Sequence, residues 1–138
     1  MKTLAKTRVK RSVRRKPAAP KQAFSVDDIR DLRVRLAPGP QRPLSQQRFS
    51  HLLGVSWSTV ARWEGGGRPD TFVAQKLIRL RNVLDALGDM VRPEHRLAFL
   101  EQAHPLLLSL RPIDLLDNDN GCAKVVELLE GMETGAFA

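Results

Sequence analysis

Apolar residues return every three to four positions through most of the chain after residue 24, a spacing typical of amphipathic helices. No stretch shows the strict alternation of apolar and polar residues that predicts a strand. The sequence therefore predicts an all-α fold. Helices are expected over about 26–36, 45–53, 57–64, 71–87, 93–103 and 122–132, with a short helix within 111–116.

Residues suited to helix ends set most of these boundaries. Ser56 and Asp70 stand where an N-cap is needed, since their side chains accept a hydrogen bond from a free backbone N–H. Gly54 can adopt the left-handed conformation that ends a helix. The run Asn118-Asp119-Asn120-Gly121 is typical of a turn, so the last helix is predicted to begin only at Cys122.

Two short predicted helices between Leu44 and Glu64 form a candidate helix-turn-helix. Gly54 permits the tight turn between them, and Ser50 is small enough for the helices to cross closely. The angle of the second helix is expected to be fixed by three residues that face inward, which are Val55, Val60 and Trp63.

The outward face of that second helix carries the candidate DNA-binding residues, because its N-terminal part meets base edges when such a motif enters the major groove. Arg62 is suited to a guanine or a phosphate, and Trp57 to a thymine methyl or the sugar backbone. Gln46, at the start of the first helix, is placed to anchor a phosphate. The complete predicted set is Gln46, Trp57, Ser58, Thr59 and Arg62.

The net charge of +8 is distributed unevenly, and it divides the chain into three parts. Residues 1–23 form a predicted disordered basic arm, and residues 1–24 hold nine Lys or Arg and no acid. Residues 24–88 are the predicted DNA-binding domain, with a net charge of +4. Residues 89–138, with a net charge of −5, are a predicted helical domain whose apolar side is a docking surface for a protein partner, a homodimer interface or simply part of the core. The arm either stays in solvent or lies along phosphates.

Several function classes are disfavoured by the residue types present. A single cysteine, Cys122, permits no intrachain disulfide and fits a reducing compartment. No apolar run approaches the roughly 20 residues of a membrane span. His95 and His104 are nine positions apart, which does not suit a shared metal, and no catalytic constellation is recognisable. We therefore expect a cytoplasmic protein that is not an enzyme and uses no cofactor, no metal and no membrane.

Residues 44–70, which read LSQQRFSHLLGVSWSTVARWEGGGRPD, resemble the Xre-type, lambda-repressor-like helix-turn-helix family. The shared words are L-S-Q, L-L-G-V-S, T-V and R-W-E, and Ser50 stands where that family usually has Ala. The resemblance implies a lambda-repressor-like helical bundle that binds double-stranded operator DNA, followed by a small helical C-terminal domain.

The back half resembles the toxin-binding domain of the Xre/MbcA/ParS antitoxin family. The resemblance is carried by Pro112-Ile113-Asp114-Leu115-Leu116, Gly121, Val125, Leu128-Leu129, Gly135 and Phe137-Ala138. Members often have Trp and Asn-Pro before the P-x-D-L-L turn, where this chain has FLEQAHP. The resemblance implies a type II antitoxin that neutralises a RES-type, NAD-consuming toxin and represses its own operon. The toxin-binding residues it implies are Pro112, Asp114, Leu115, Leu116, Gly135 and Phe137.

Phe137 follows the flexible Gly135 and has no evident neighbour in the chain, so a hypothesis is that this tail enters the toxin's dinucleotide pocket. Two other readings remain open. The chain is alternatively a stand-alone Xre-family transcription regulator whose C-terminal part dimerises, or an interaction module whose helix-turn-helix is vestigial. A homodimer is expected.

Overall fold

The computed structural model describes residues 26–88 and 90–134, and this part of the chain contains helices and turns but no strand. The all-α prediction is confirmed. The basic arm 1–23, Gly135 and Phe137 lie outside the described residues. The helices are α1 Val26–Leu36, α2 Gln46–Leu53, α3 Trp57–Glu64, α4 Thr71–Leu87, α5 Pro93–Glu101, a 3₁₀ helix Pro105–Leu107, α6 Pro112–Leu115 and α7 Asp119–Thr134.

Polar N-caps begin α2, α3 and α4, and Gly54 ends α2; the caps at Ser56 and Asp70 were predicted from the sequence, whereas the cap at Ser45 was not. Side-chain oxygens of Ser45, Ser56 and Asp70 each accept a hydrogen bond from the backbone N–H three residues further on. Gly54 ends α2 with φ at 76°, the left-handed conformation that glycine adopts without steric cost.

Both predicted domains contribute to one hydrophobic core. α1 packs against α3 and α5, whereas α4 packs against α7. The buried side chains form a single cluster that extends from Ile29 in α1 to Leu129 in α7. Packing therefore continues across the predicted boundary at residues 88 and 89.

The last helix begins three residues earlier than predicted, at Asp119 instead of Cys122. The interpretation of residues 118–121 as a turn is wrong, because Asn118 Oδ1 accepts a hydrogen bond from the Gly121 N–H at 2.7 Å and so caps the helix. The same side-chain bond serves turns and N-caps, so residue types alone do not separate them. Arg79 of α4 pairs with Asp119 at 2.9 Å and holds this first turn in place.

The connection between α5 and α6 differs from expectation as well. α5 ends at Glu101 instead of near Ala103, because Gln102 already has an extended backbone. Beyond it, the 3₁₀ helix lies inside a loop that is closed by an isolated β-bridge between His104 and Leu110. Neither feature was predicted from the sequence.

Gly121 lies where α7 passes the end of α6. A Cβ at this position would stand 2.1 Å from the carbonyl oxygen of Leu115. Because that neighbour is backbone, Gly121→Ala is expected to separate the two helices and lower the free energy of unfolding by about 1–3 kcal/mol. Urea denaturation measures this loss. Gly39→Ala is the control, since its added Cβ meets nothing within 4 Å, and equal losses in both variants would contradict the explanation.

Candidate functional site

α2 and α3 pack directly against each other and are joined by residues 54–56. Ser50 is buried at their crossing, where its hydroxyl donates to the Gln47 carbonyl at 2.7 Å. Val60 and Trp63 of α3 are buried as expected, while Val55 is only half-buried. This packing leaves the opposite face of α3 in contact with solvent.

A buried ion pair fixes the end of α3 to α1. Arg33 Nη1 donates to both carboxylate oxygens of Glu64 at 2.7 Å, and the two side chains are only 10% and 9% exposed. Arg33 Nε also donates to the Leu44 carbonyl at 2.7 Å. A desolvated charge is tolerated only when it is closely paired, so these bonds determine where the end of α3 lies.

Gln46 connects this ion pair to Trp57 at the start of α3. Its Nε2 donates to Glu64 Oε1 at 3.1 Å, and its Oε1 accepts from the Trp57 indole N–H at 3.2 Å. Trp57 is 60% exposed, which is the exposure expected of a DNA-binding residue. Gln46 is half-buried, and its carbonyl holds Trp57, so one amide N–H remains for the phosphate contact predicted from the sequence.

The other predicted DNA-binding residues differ in exposure. Ser58 and Arg62 are exposed, whereas Thr59 is half-buried. The hydroxyls of Ser58 and Thr59 hydrogen-bond to Ser56 Oγ at 3.1 and 2.7 Å. Hydrogen-bond donors of the kinds that base edges and phosphates accept therefore stand together on the outward face of α3.

Gly67, just after α3, lies against the stem of Arg62. A Cβ at Gly67 would stand 3.0 Å from Arg62 Cγ and 3.0 Å from the Arg62 carbonyl oxygen. The absence of a side chain at this glycine therefore lets the loop after α3 pack along the arginine.

Polar contacts join this surface to the back half. Arg48 on α2 forms a two-bond ion pair with Glu101 on α5, and the bond from Nη1 to Oε2 is 2.9 Å long. Arg96 on α5 donates to the carbonyls of Arg35 and Gly88, each at 3.0 Å. α5 is therefore held to α1, to α2 and to the end of α4.

The described toxin-binding candidates fall into two groups. Pro112 is buried and Leu116 is 0% exposed, because the one-turn helix α6 packs against both α5 and α7. These two residues support the turn from inside and do not form its surface. Asp114 is exposed and Leu115 is half-buried, so these two can face a partner.

Arg111 and Asp114 form a two-bond ion pair beside that turn, with both bonds at 2.8 Å. The hydrogen bonds from Arg111 hold the pKa of Asp114 below its usual value. From the other side, Lys76 pairs with Asp117 at 2.8 Å. Basic residues therefore anchor both ends of α6.

Metal and thiol chemistry have no evident centre in residues 26–88 and 90–134. No group of three His, Cys, Asp or Glu in these ranges is placed to hold a metal ion. Burial raises the pKa of the Cys122 thiol, which favours the unreactive protonated form. No helix of this part of the chain is long and apolar enough to cross a membrane.

No family model matches the chain. The chain is 28% identical over 95 residues to the mycobacterial cidal antitoxin MbcA of Mycobacterium tuberculosis and Mycobacterium bovis. The aligned region covers 68% of this chain and 83% of MbcA. It is 29% identical over 106 residues to the Prs ADP-ribosylating antitoxin of a Sphingobium species, which covers 69% of this chain and 67% of that protein.

A solved structure shares the fold. The chain matches one chain of the M. tuberculosis MbcT–MbcA toxin–antitoxin complex with a TM-score of 0.61 and 24% identity, over 82% of this chain and 96% of that one. The sequence similarities point to antitoxins, and the structural match shows a common all-α architecture.

Arg33→Ala is expected to lower the free energy of unfolding by about 3–5 kcal/mol, because it leaves the Glu64 carboxylate buried without its partner. Thermal and urea denaturation measure the effect. Arg35→Ala is the matched control, since Arg35 pairs with an Asp85 side chain that is 64% exposed. This substitution should lower the free energy of unfolding by less than about 1 kcal/mol. Similar losses for both variants would show that the Arg33–Glu64 pair does not constrain the fold.

Proposed function

We propose that this protein is the antitoxin of a type II toxin–antitoxin pair and that it represses its own operon by binding DNA. The observation that carries the proposal is the similarity to two named antitoxins, each over more than two thirds of this chain. It acts by binding its partners, without catalysis of its own.

The DNA-binding half of the proposal is supported by the surface of α3. Trp57, Ser58 and Arg62 are exposed on a helix whose position is fixed by the buried Arg33–Glu64 pair. A preorganised helix loses little conformational entropy when it enters the major groove. Gln46 has two roles in this proposal, because it orients Trp57 and offers its remaining N–H to a phosphate.

The toxin-binding half of the proposal concerns a RES-type enzyme that consumes NAD. Asp114 and Leu115 contact the toxin, while Pro112 and Leu116 hold the turn that presents them. The tail with Gly135 and Phe137 enters the dinucleotide pocket. The net charge of −5 over residues 89–138 suits a pocket that binds an anionic dinucleotide, since such a pocket is cationic.

The second candidate function is that of a stand-alone Xre-family regulator whose back half only dimerises. Exposed leucines between α5 and α6 favour a protein contact of that kind. The two functions differ in one property, because only the antitoxin restores the growth of cells that express the toxin.

Arg62→Ala is expected to weaken binding to operator DNA by on the order of 1–3 kcal/mol if Arg62 reads a guanine, with a much smaller loss on unrelated duplex DNA. Fluorescence anisotropy at one fixed salt concentration compares the two DNAs. Arg35→Ala is the control arginine, because its side chain pairs with Asp85. Equal losses on both DNAs would make Arg62 a phosphate contact, and no loss on either would remove it from the interface.

Deletion of residues 135–138 is expected to abolish growth rescue in cells that express the cognate RES-type toxin. Operator binding and thermal stability should persist, because α3 ends more than seventy residues upstream. A loss of about 2–4 kcal/mol of stability would instead place Phe137 in the core. Full rescue by the truncated chain would refute the pocket contact, and no rescue by the full chain would refute the antitoxin function.

A further inference from the structure

No ion pair fixes the direction of the Arg62 side chain. Other arginines of the fold are held by carboxylates, as Arg35 is by Asp85. In the part of the chain that the structure describes, no carboxylate pairs with Arg62, and its side chain is exposed. The direction of its guanidinium therefore depends on what the aliphatic stem of the side chain packs against.

Helix α3 ends in a Schellman motif, in which two backbone hydrogen bonds close the last turn. The Gly67 N–H donates to the Arg62 carbonyl at 2.9 Å, and the Gly66 N–H donates to the Trp63 carbonyl at 3.1 Å. Gly66 has φ at 109°, a positive value of the kind that this motif requires at that position. The longer of the two connections brings the Gly67 backbone directly beside Arg62.

The position that Gly67 occupies in this motif often carries an apolar side chain. That side chain then packs on the helix residue whose carbonyl accepts the longer connection, which here is Arg62. A Cβ on Gly67 would stand 3.0 Å from Arg62 Cγ, closer than the 3.5–4.0 Å or so at which two carbon atoms pack. The stem of Arg62 therefore occupies the space that a side chain at residue 67 would need.

Backbone conformation does not account for the glycine at residue 67. The φ of Gly66 is positive, whereas that of Gly67 is not, so alanine at residue 67 would not be strained by its φ. The neighbouring Gly65 differs in its surroundings, because a Cβ there would meet only the Ala61 and Arg62 carbonyl oxygens, at 3.4 and 3.6 Å. What glycine provides at residue 67 is space beside the Arg62 side chain.

We propose that Gly67 determines DNA sequence specificity by positioning Arg62, and this inference rests on the proposed binding of DNA by α3. Gly67 contacts no base itself. Its missing side chain lets the stem of Arg62 lie along the end of α3, which directs the guanidinium at one base pair. Because the guanidinium lies three bonds beyond Cγ, a small displacement of Cγ becomes a larger one at the charged end. Two-bond recognition of guanine depends on that geometry.

Gly67→Ala tests the proposal, and Gly65→Ala is its matched control in the same turn. The probe is the duplex that the parent chain selects from a random-sequence pool, compared with a shuffled duplex by fluorescence anisotropy at one salt concentration. Gly67→Ala should weaken binding to the selected duplex about tenfold and change binding to the shuffled duplex little. It should also lose discrimination at the same base pair as Arg62→Ala. Gly65→Ala should bind as the parent chain does, and equal losses in the two glycine variants would overturn the proposal.

A double-mutant cycle separates the side-chain effect from a backbone effect. A Cβ on Gly67 would also stand 3.0 Å from the Arg62 carbonyl oxygen, so the added methyl has two atoms to displace. In the Arg62→Ala background only the carbonyl remains, because alanine has no Cγ, and Gly67→Ala should then cause no further loss of affinity. A further loss of the same size would show that the methyl acts through the backbone, which would overturn the proposal.

NMR of the full chain without DNA tests the contact independently of the proposed function. The Cγ and Nε resonances of Arg62 should move in Gly67→Ala well beyond any change in Gly65→Ala, since only the first methyl meets the arginine stem. Unmoved resonances would overturn the proposal even where the parent chain binds DNA specifically. Moved resonances in a chain that selects no DNA sequence would instead refute the DNA-binding function, and the specificity role with it.

Discussion

The buried ion pair between Arg33 and Glu64 is the interaction on which the candidate DNA-binding surface depends. Both charges are withdrawn from water, so each requires the other within hydrogen-bond distance. Glu64 also accepts a hydrogen bond from the Gln46 amide, and Gln46 in turn accepts one from the Trp57 indole N–H. Three consecutive contacts therefore transmit the position of α1 to the exposed start of α3. This arrangement explains how a helix of only 8 residues keeps a defined orientation while one of its faces is open to solvent.

The shared core places the two proposed activities on one packed unit. α4 contributes fully buried leucines to the same cluster as α1 and α7, and the Arg48–Glu101 pair bridges α2 and α5 at the surface. The net charge changes from basic to acidic near residue 88, and this change therefore marks two different surfaces of one core instead of two separate cores. The front surface offers donors for an anionic polymer, and the back offers carboxylates and apolar side chains to proteins. This division fits the proposed combination of operator binding and toxin capture.

Local sequence determined most of the helices. The caps at Ser56 and Asp70, the left-handed Gly54 and the apolar spacing act within a few residues, so they can be identified from the sequence without knowledge of the fold. The exposure of Trp57 and Arg62 followed from the same periodicity. Asn118 shows the limit of local patterns, because its side chain suits a turn and a helix cap equally. In the fold it caps α7, whose first turn is also held by the ion pair between Arg79 and Asp119.

Only the tertiary structure decided which charges pair and which leucines are buried. Arg33 stands among apolar positions of α1, a sign that it needs a buried partner, but Glu64 lies 31 residues away and several acids compete for that role. Leu116 belongs to a recognisable motif, yet packing against neighbouring helices makes it core and leaves Leu115 beside it half-buried. Leu107 and Leu108 are identical in type and adjacent in sequence, yet Leu107 is buried and Leu108, whose backbone has a positive φ, is exposed. Helix ends are determined by local chemistry, whereas pairing and burial depend on how the helices come together.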